Sequence, residues 1–346
     1  MIVSRAPLRI SLAGGGTDLE PYVNQYGGCV LSYTINYYAF CKIEPSISMW
    51  EDKWQFRASD LNQTVEFTDI DIDSPYQGDC AISVNAYLYF LKNFDVPVSP
   101  ISITTRCDAM PGSGLGGSSA LTVAVVSALA KYHNVPLSDY DVAAVAYDIE
   151  RVMCKLPGGK QDQFASAFGG CNFIEFKGTD VIVNPLRLSH SLRNKLEMNF
   201  ILFYTGNCRN EHVIEDNMRR LEENSESVEL THRIKENCFA FKDALLTGNF
   251  YQMDTLLEEN WQLKKNLSSS ITTDKIEEMY QFGIKHGMKA GKLCGAGGGG
   301  HILFSCDQFA DMSNWLQNIA QLQERYPKAR IIPWGCVNNG VETWSQ

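Results

Sequence analysis

Apolar and polar residues alternate along positions 8–12, and the alternation stops at Gly14, Gly15 and Gly16, before the pair Thr17-Asp18. This pattern, with the apolar start at 2–4, predicts a strand running into a glycine turn that carries an acid. The long β-branched and aromatic run at 29–44, with shorter runs at 48–56 and 64–67, extends the strand signal and predicts a mixed or antiparallel sheet. Helical spacing at 79–93 precedes a strand at 101–107, after which the glycine- and serine-rich turn 110–119 opens into an apolar helix at 120–131. A second helix is predicted over 138–153, then a Pro157-Gly158-Gly159 break and a short helix carrying Asp162. The charge-rich stretch 186–199 reads as a joint, followed by a strand at 199–205 and helices at 211–246, 251–267 and 273–286. A second glycine loop, 291–300, leads into a strand at 301–304, and a helix at 308–326 and a strand at 330–334 follow. Without strict βαβ alternation, these elements predict an α+β protein in two domains, 1–190 and 191–346, with a cleft between them.

The turn 110–119 has the chemistry of a phosphate cradle. Gly112, Gly114, Gly116 and Gly117 allow positive φ and close approach of backbone N–H groups, and Ser118 and Ser119 suit a helix cap. The start of a helix supplies unpaired N–H groups and a positive dipole end. No lysine follows Gly117, which argues against an ordinary P-loop; the dinucleotide fingerprint fits by letter and stays open as an alternative, although Asp139 and Asp141 begin a helix instead of ending a strand.

Composition narrows the classes. The 346 residues are 45% hydrophobic and 11% aromatic, enough for a large core, and a net charge of −10 with no Lys/Arg-rich run argues against nucleic acid as a partner. Eleven cysteines without a C-x-x-C pair, mostly within apolar runs, read as reduced thiols of a cytoplasmic protein. No stretch of 18 apolar residues suggests a membrane partner, and the start lacks the charged and apolar segments of a secretion signal.

Ala6-Pro7-Leu8-Arg9 continuing through 14–18, the segment 111–120, and the segment 292–300 resemble, in order, the three motifs of the GHMP small-molecule kinases. The wording GGGTD, PGGKQDQFASAFGG and KLCGAGGGGH is most similar to that family's sugar kinases acting on a heptose 7-phosphate at O1. The resemblance implies a ribosomal-S5-like N-terminal domain, a ferredoxin-like C-terminal α/β sandwich, and ATP and Mg²⁺ as cofactors. It implies that Pro111, Gly112, Gly114, Leu115, Gly116, Gly117, Ser118 and Ser119 hold the nucleotide, and that Ser119 with Glu150 holds the metal. Asp162 would accept the proton of the sugar hydroxyl and Arg9 would stabilise the transferred phosphoryl group, while Gly15, Gly16, Thr17, Asp18, Gly297 and Gly298 would shape the sugar site. Its partners would be a small-molecule sugar phosphate and ATP, in a monomer or homodimer supplying nucleotide-activated heptose for surface glycans.

Many members read Gly-Leu-Gly-Ser-Ser where this chain has Gly114-Leu115-Gly116-Gly117-Ser118-Ser119, which leaves the register of the phosphate contacts open by one residue. A sugar phosphate also needs a cation remote from O1; Arg209 is the first candidate for its planar fork, ahead of Lys160, Lys264 and Lys265. Trp54 is a candidate to stack on adenine. Kinases of fucose, galactose or mannose type, a non-catalytic sugar or nucleotide sensor, and a decarboxylase on the same fold are the alternatives.

Overall fold

The computed structural model describes residues 1–46, 53–208, 212–307 and 312–346. The first half contains β1 (Ile2–Ala13), α1 (Tyr22–Tyr26), β2 (Gly28–Pro45), β3 (Trp54–Ala58), β4 (Gln63–Phe67), α2 (Ala81–Asn93), β5 (Ile101–Cys107), α3 (Gly117–His133), α4 (Asp139–Asp148), α5 (Gln161–Phe168), β6 (Cys171–Lys177) and β7 (Asp180–Pro185). The second half contains α6 (His190–Asn199), β8 (Phe200–Tyr204), α7 (His212–Glu223), α8 (Ser225–Thr247), α9 (Phe250–Leu267), α10 (Asp274–Lys285), β9 (Ala290–Leu293), β10 (His301–Ser305), α11 (Met312–Arg325), β11 (Arg330–Ile332) and β12 (Glu342–Ser345).

The first sheet runs β12-β1-β2-β5-β3-β4, with β6 and then β7 continuing from β2. Its pairings are antiparallel except β3 with β5, so the mixed sheet expected from sequence is present. β1 is buried on both faces from Ala6 to Ala13, since α3 and α5 as well as α8 and α9 pack against it, which is why its alternation covers only part of its length. The second sheet, β11-β8-β10-β9, is antiparallel throughout. A separate core around Phe203, Trp261, Tyr280, Phe304 and Trp315 lies in this half, while buried residues of α8 such as Phe241 and of α9 such as Leu257 join the core of the first half.

The chain's end returns to the first sheet: β12 pairs with β1, and the Val337 N–H donates to Thr34 O at 3.0 Å. The expected second domain, 191–346, therefore gives its last strand to the first. The single helix expected over 211–246 is two, because the Asn224 side chain accepts from the Glu226 N–H at 2.8 Å and caps α8. The helix expected over 138–153 is also modified. A capping box of Ser138 and Asp141 starts α4, but residues Ile149–Met153 form a wider π-helical turn. That turn directs Glu150 inward, where it is fully buried.

All eleven cysteines are free thiols. Among the described residues no helix is long and apolar enough to cross a membrane.

Candidate active site

A cleft of about 410 Å³ opens between the two glycine motifs and the helices of the second half. Its floor is the mouth of α3. Gly116 caps that helix at φ 75°, and Gly117, Ser118 and Ser119 form its first turn, so the serines follow the cap and do not provide it. Backbone N–H groups and the helix dipole thus face a cavity that Pro111, Gly112, Gly114, Gly116, Gly117, Ser118 and Ser119 line. Leu115 does not line it: its side chain is 1% exposed and its N–H donates to Ser113 Oγ.

Two polar pairs flank this mouth. On one side, Arg9 from β1 is 2% exposed, and its Nε and Nη2 lie 2.8 and 2.5 Å from Asp162 Oδ1 at the start of α5. Its Nη1 donates to Gly114 O at 2.7 Å, and its backbone N–H to Leu115 O at 3.1 Å. One arginine therefore ties β1 to the cradle and fixes the carboxylate. A Cβ on Gly116 would lie 3.3 Å from Asp162 Cγ and 3.5 Å from Arg9 Cζ, so the bare glycine admits the pair to the helix mouth.

On the other side, Glu150 Oε1 accepts from Ser118 Oγ at 2.8 Å, and Oε2 accepts from Gln163 Nε2 at 2.5 Å. The hydroxyl brought to Glu150 is thus that of Ser118 and not Ser119, which is buried one position further along α3. Ser118 gives its proton to the carboxylate and keeps its oxygen lone pairs for the cleft. A hydroxyl and a carboxylate are oxygen donors suited to a hard divalent cation. Among the described residues no three His, Cys, Asp or Glu side chains cluster as a metal cage; a cation here would lean on phosphate and water.

The third wall carries Gly15, Gly16, Asp18, Gln161 and Lys264. Asp18 is 1% exposed; its Oδ1 accepts from the Gly16 N–H (3.2 Å) and Gln161 Nε2 (3.0 Å), and its Oδ2 from the Gln161 N–H (3.1 Å). Burial raises the Asp18 carboxyl above its ordinary value and nearby Asp162 adds to the rise. Lys264, from the last turn of α9, reaches the cleft with its ammonium pushed down to about 8 by burial, partly offset by Asp18. Beneath them Lys292 is fully buried and donates to Ser11 O at 2.9 Å and Leu12 O at 3.2 Å; burial and Lys264 push it down to about 7.

Several expected residues lie elsewhere. Thr17 faces inward, its hydroxyl bonded to Gly14 O and Cys29 O, so it holds the turn and does not meet a ligand. Gly297 and Gly298 pack on Ile271, and the residues that the third motif presents to the cleft are Gly295 and Ala296. The motif serves mainly by docking: a Cβ on Gly114 would lie 2.5 Å from Cys294 O, and His301 Nδ1 is 2.8 Å from Ser113 O. Trp54 is a core residue, its Nε1 donating to Tyr87 Oη and Ser99 O. Arg209 lies outside the described residues. Lys160 sits over the Tyr147 ring, and Lys265 pairs with Glu277. Sequence reasoning missed Arg151 and Arg220, which line the cleft from the π-helical turn and from α7. Their signal, arginines on helices with no glycine motif beside them, does not separate them from surface cations.

A cradle at a helix mouth, a fixed carboxylate–guanidinium pair and a hydroxyl–carboxylate pair define a phosphotransferase cleft. The chain matches the models of the GHMP kinase N-terminal domain over residues 81–170 and the GHMP kinase C-terminal domain over 241–321. It is 34% identical over 344 residues to D-glycero-alpha-D-manno-heptose 7-phosphate kinase of Campylobacter jejuni, covering 99% of this chain and 98% of that protein. The solved structure of a D-glycero-D-manno-heptose 1-phosphate kinase from Bacteroides thetaiotaomicron superposes with a TM-score of 0.81 at 30% identity, covering 100% of this chain and 99% of that one. The mevalonate kinase of Methanococcus jannaschii shares the fold, with a TM-score of 0.73 at 20% identity and 98% of each chain covered. The chain belongs to the GHMP kinases.

Proposed function

We propose that the protein transfers the γ-phosphoryl group of ATP to the anomeric O1 of D-glycero-D-manno-heptose 7-phosphate, forming the 1,7-bisphosphate. The observation that carries the reading is the Arg9–Asp162 pair at the mouth of α3, supported by full-length identity of 34% to a heptose 7-phosphate kinase. The two related kinases are named for different phosphates, and only the 7-phosphate leaves O1 free to accept.

In this reading the triphosphate lies along the glycine turn and the first N–H groups of α3. The apolar wall of Leu61, Ile82, Ala109 and Leu121 takes the base. Ser118 and Glu150 would hold Mg²⁺, whose chemistry is to neutralise charge on the phosphates. Asp162 has both Arg9 contacts on Oδ1, so Oδ2 accepts the hydrogen bond, and then the proton, of the sugar hydroxyl. Arg9 balances negative charge as the phosphoryl group moves. Asp18, Gly15 and Gly16 bound the sugar. The remote phosphate requires a cation; Arg220 lines the cleft and Arg209 is a further candidate, whereas Arg151 lies 3.7 Å from Glu150 and belongs to the metal end. An anomeric phosphate is the handle for nucleotidyl transfer, so the product suits nucleotide-activated heptose synthesis in the cytoplasm.

The test is ATP consumption against heptose 7-phosphate, heptose 1-phosphate, heptose, fucose, galactose, mannose and mevalonate. Preference for heptose 7-phosphate supports the reading, and turnover of another sugar in its place replaces it.

A further inference from the structure

At the acceptor end of the cleft lies a charged group that the proposed phosphoryl transfer leaves unused. Lys264 is 5% exposed, and its Nζ donates one hydrogen bond, 2.8 Å to Gly295 O. An ammonium carries three donors, and among the described residues the other two meet no acceptor. Burying a charge with open donors is costly unless something completes them. Lys292 next to it shows the contrasting case, with two backbone carbonyls on its ammonium.

The surroundings of Lys264 are incomplete in the same way. A Cβ on Gly15 would lie 3.6 Å from Lys264 Nζ, 3.8 Å from Gln161 Nε2 and 3.2 Å from Ser11 Oγ. Around that bare glycine, Gln161 Oε1 and Ser11 Oγ are buried without a hydrogen-bond partner. The Asp18 carboxylate, held by Gln161 and Gly16, belongs to the same wall. The open donors of Lys264, the unpartnered Gln161 Oε1 and the Asp18 carboxylate thus belong to side chains of one wall of the cleft, a combination that suits hydroxyl groups, which donate and accept together.

Resting on the sugar-kinase reading, we propose that Lys264 is an acceptor-binding residue whose ammonium donates to a sugar hydroxyl while Asp18 accepts from another, and that it does not hold the remote phosphate. The groups facing Lys264 are Asp18 from the turn after β1, Arg9 from β1, and Cys294 and Lys292 at the end of β9. Burial opposes its proton most strongly and Arg9 adds to this, whereas Asp18 and Cys294 favour it. Above pH about 8 the ammonium loses its charge, and sugar binding weakens with it.

The experiment compares wild type, Lys264→Met and Lys264→Arg for KM toward ATP, heptose 7-phosphate and heptose from pH 6.5 to 9.5, with thermal melting to confirm folding. Lys264→Met raises KM about 10–100-fold, the loss of one charge-assisted hydrogen bond, equally for both sugars and with KM for ATP within about twofold. Wild type shows sugar KM rising above pH about 8, and Lys264→Arg, which stays charged, lacks that limb. A loss confined to the phosphorylated sugar overturns the assignment in favour of a phosphate contact. An unchanged sugar KM, or equal losses for sugar and ATP in a folded Lys264→Met, overturns it as structural. If wild type prefers another sugar, the substrate proposal fails by itself; the same variants on that sugar then decide the role of Lys264 by the same outcomes.

Discussion

Arg9 places Nε and Nη2 on one oxygen of Asp162, at 2.8 and 2.5 Å, so the guanidinium clamps Oδ1 and leaves Oδ2 beside Gly116 for a ligand. A fork engaging both oxygens would have occupied the whole carboxylate. Replacing Asp162 by Asn keeps the shape and removes the proton acceptor. The expected outcome is a fall in kcat of about 10²–10⁴, as for loss of a general base, with ATP affinity by calorimetry within about threefold. A variant retaining more than about a tenth of the rate would remove Asp162 from the transfer step.

The Ser118–Glu150 hydrogen bond makes a register-specific prediction. Ser118→Ala and Glu150→Gln raise the Mg²⁺ concentration for half-maximal rate by roughly tenfold, about one lost oxygen contact, and excess Mg²⁺ partly restores both. Ser119→Ala shifts the titration less than Ser118→Ala. The reverse ranking would return the metal contact to Ser119.

Docking of the third motif on the second can be tested away from the chemistry. Gly300 has φ 90°, and a Cβ there would lie 2.2 Å from Ser113 O. Gly300→Ala is expected to destabilise the protein by more than about 2 kcal/mol in denaturant unfolding and to raise KM for ATP. Wild-type stability and ATP affinity would show that the two motifs need not touch.

Buried Lys292 links stability to pH. Its folded-state value of about 7 lies below the ordinary lysine value of 10.5, so between these the unfolded chain binds more protons and wild-type stability rises with pH. Lys292→Met removes this contribution. Relative to wild type the variant gains on the order of 3–4 kcal/mol between pH 10 and pH 7, on top of a pH-independent cost for the Ser11 and Leu12 carbonyls that lose their donor. Parallel stability–pH curves for the two proteins would contradict a suppressed charge at Lys292.

The candidate cleft was legible through glycines, because close backbone approach leaves a one-letter trace: a Cβ on Gly114 would collide with Cys294 O, and one on Gly116 would crowd Asp162. The acids Asp162 and Asp18 were legible by the turns preceding them. The serine register was not, since 118 and 119 differ only in which face of α3 they occupy, and the π-helical turn that aims Glu150 has no pattern of its own. Lys264 looks in sequence like one of two adjacent helix cations; only tertiary packing buries it while Lys265 pairs with Glu277. Among strands, β6, β7 and β9 were not expected, nor was β12, which is short and whose partner β1 lies at the opposite end of the chain.

Transfer to O1 of a heptose 7-phosphate is open to direct measurement. The direct measurement is ³¹P NMR of the product formed from ATP, Mg²⁺ and D-glycero-D-manno-heptose 7-phosphate, beside the same reaction with Asp162→Asn. The spectrum expected for O1 transfer through Asp162 has a new anomeric phosphate resonance, coupled to H1, alongside the retained 7-phosphate signal, and none with the variant. ATP turnover without an anomeric phosphate, or the same product from Asp162→Asn at a comparable rate, would contradict it.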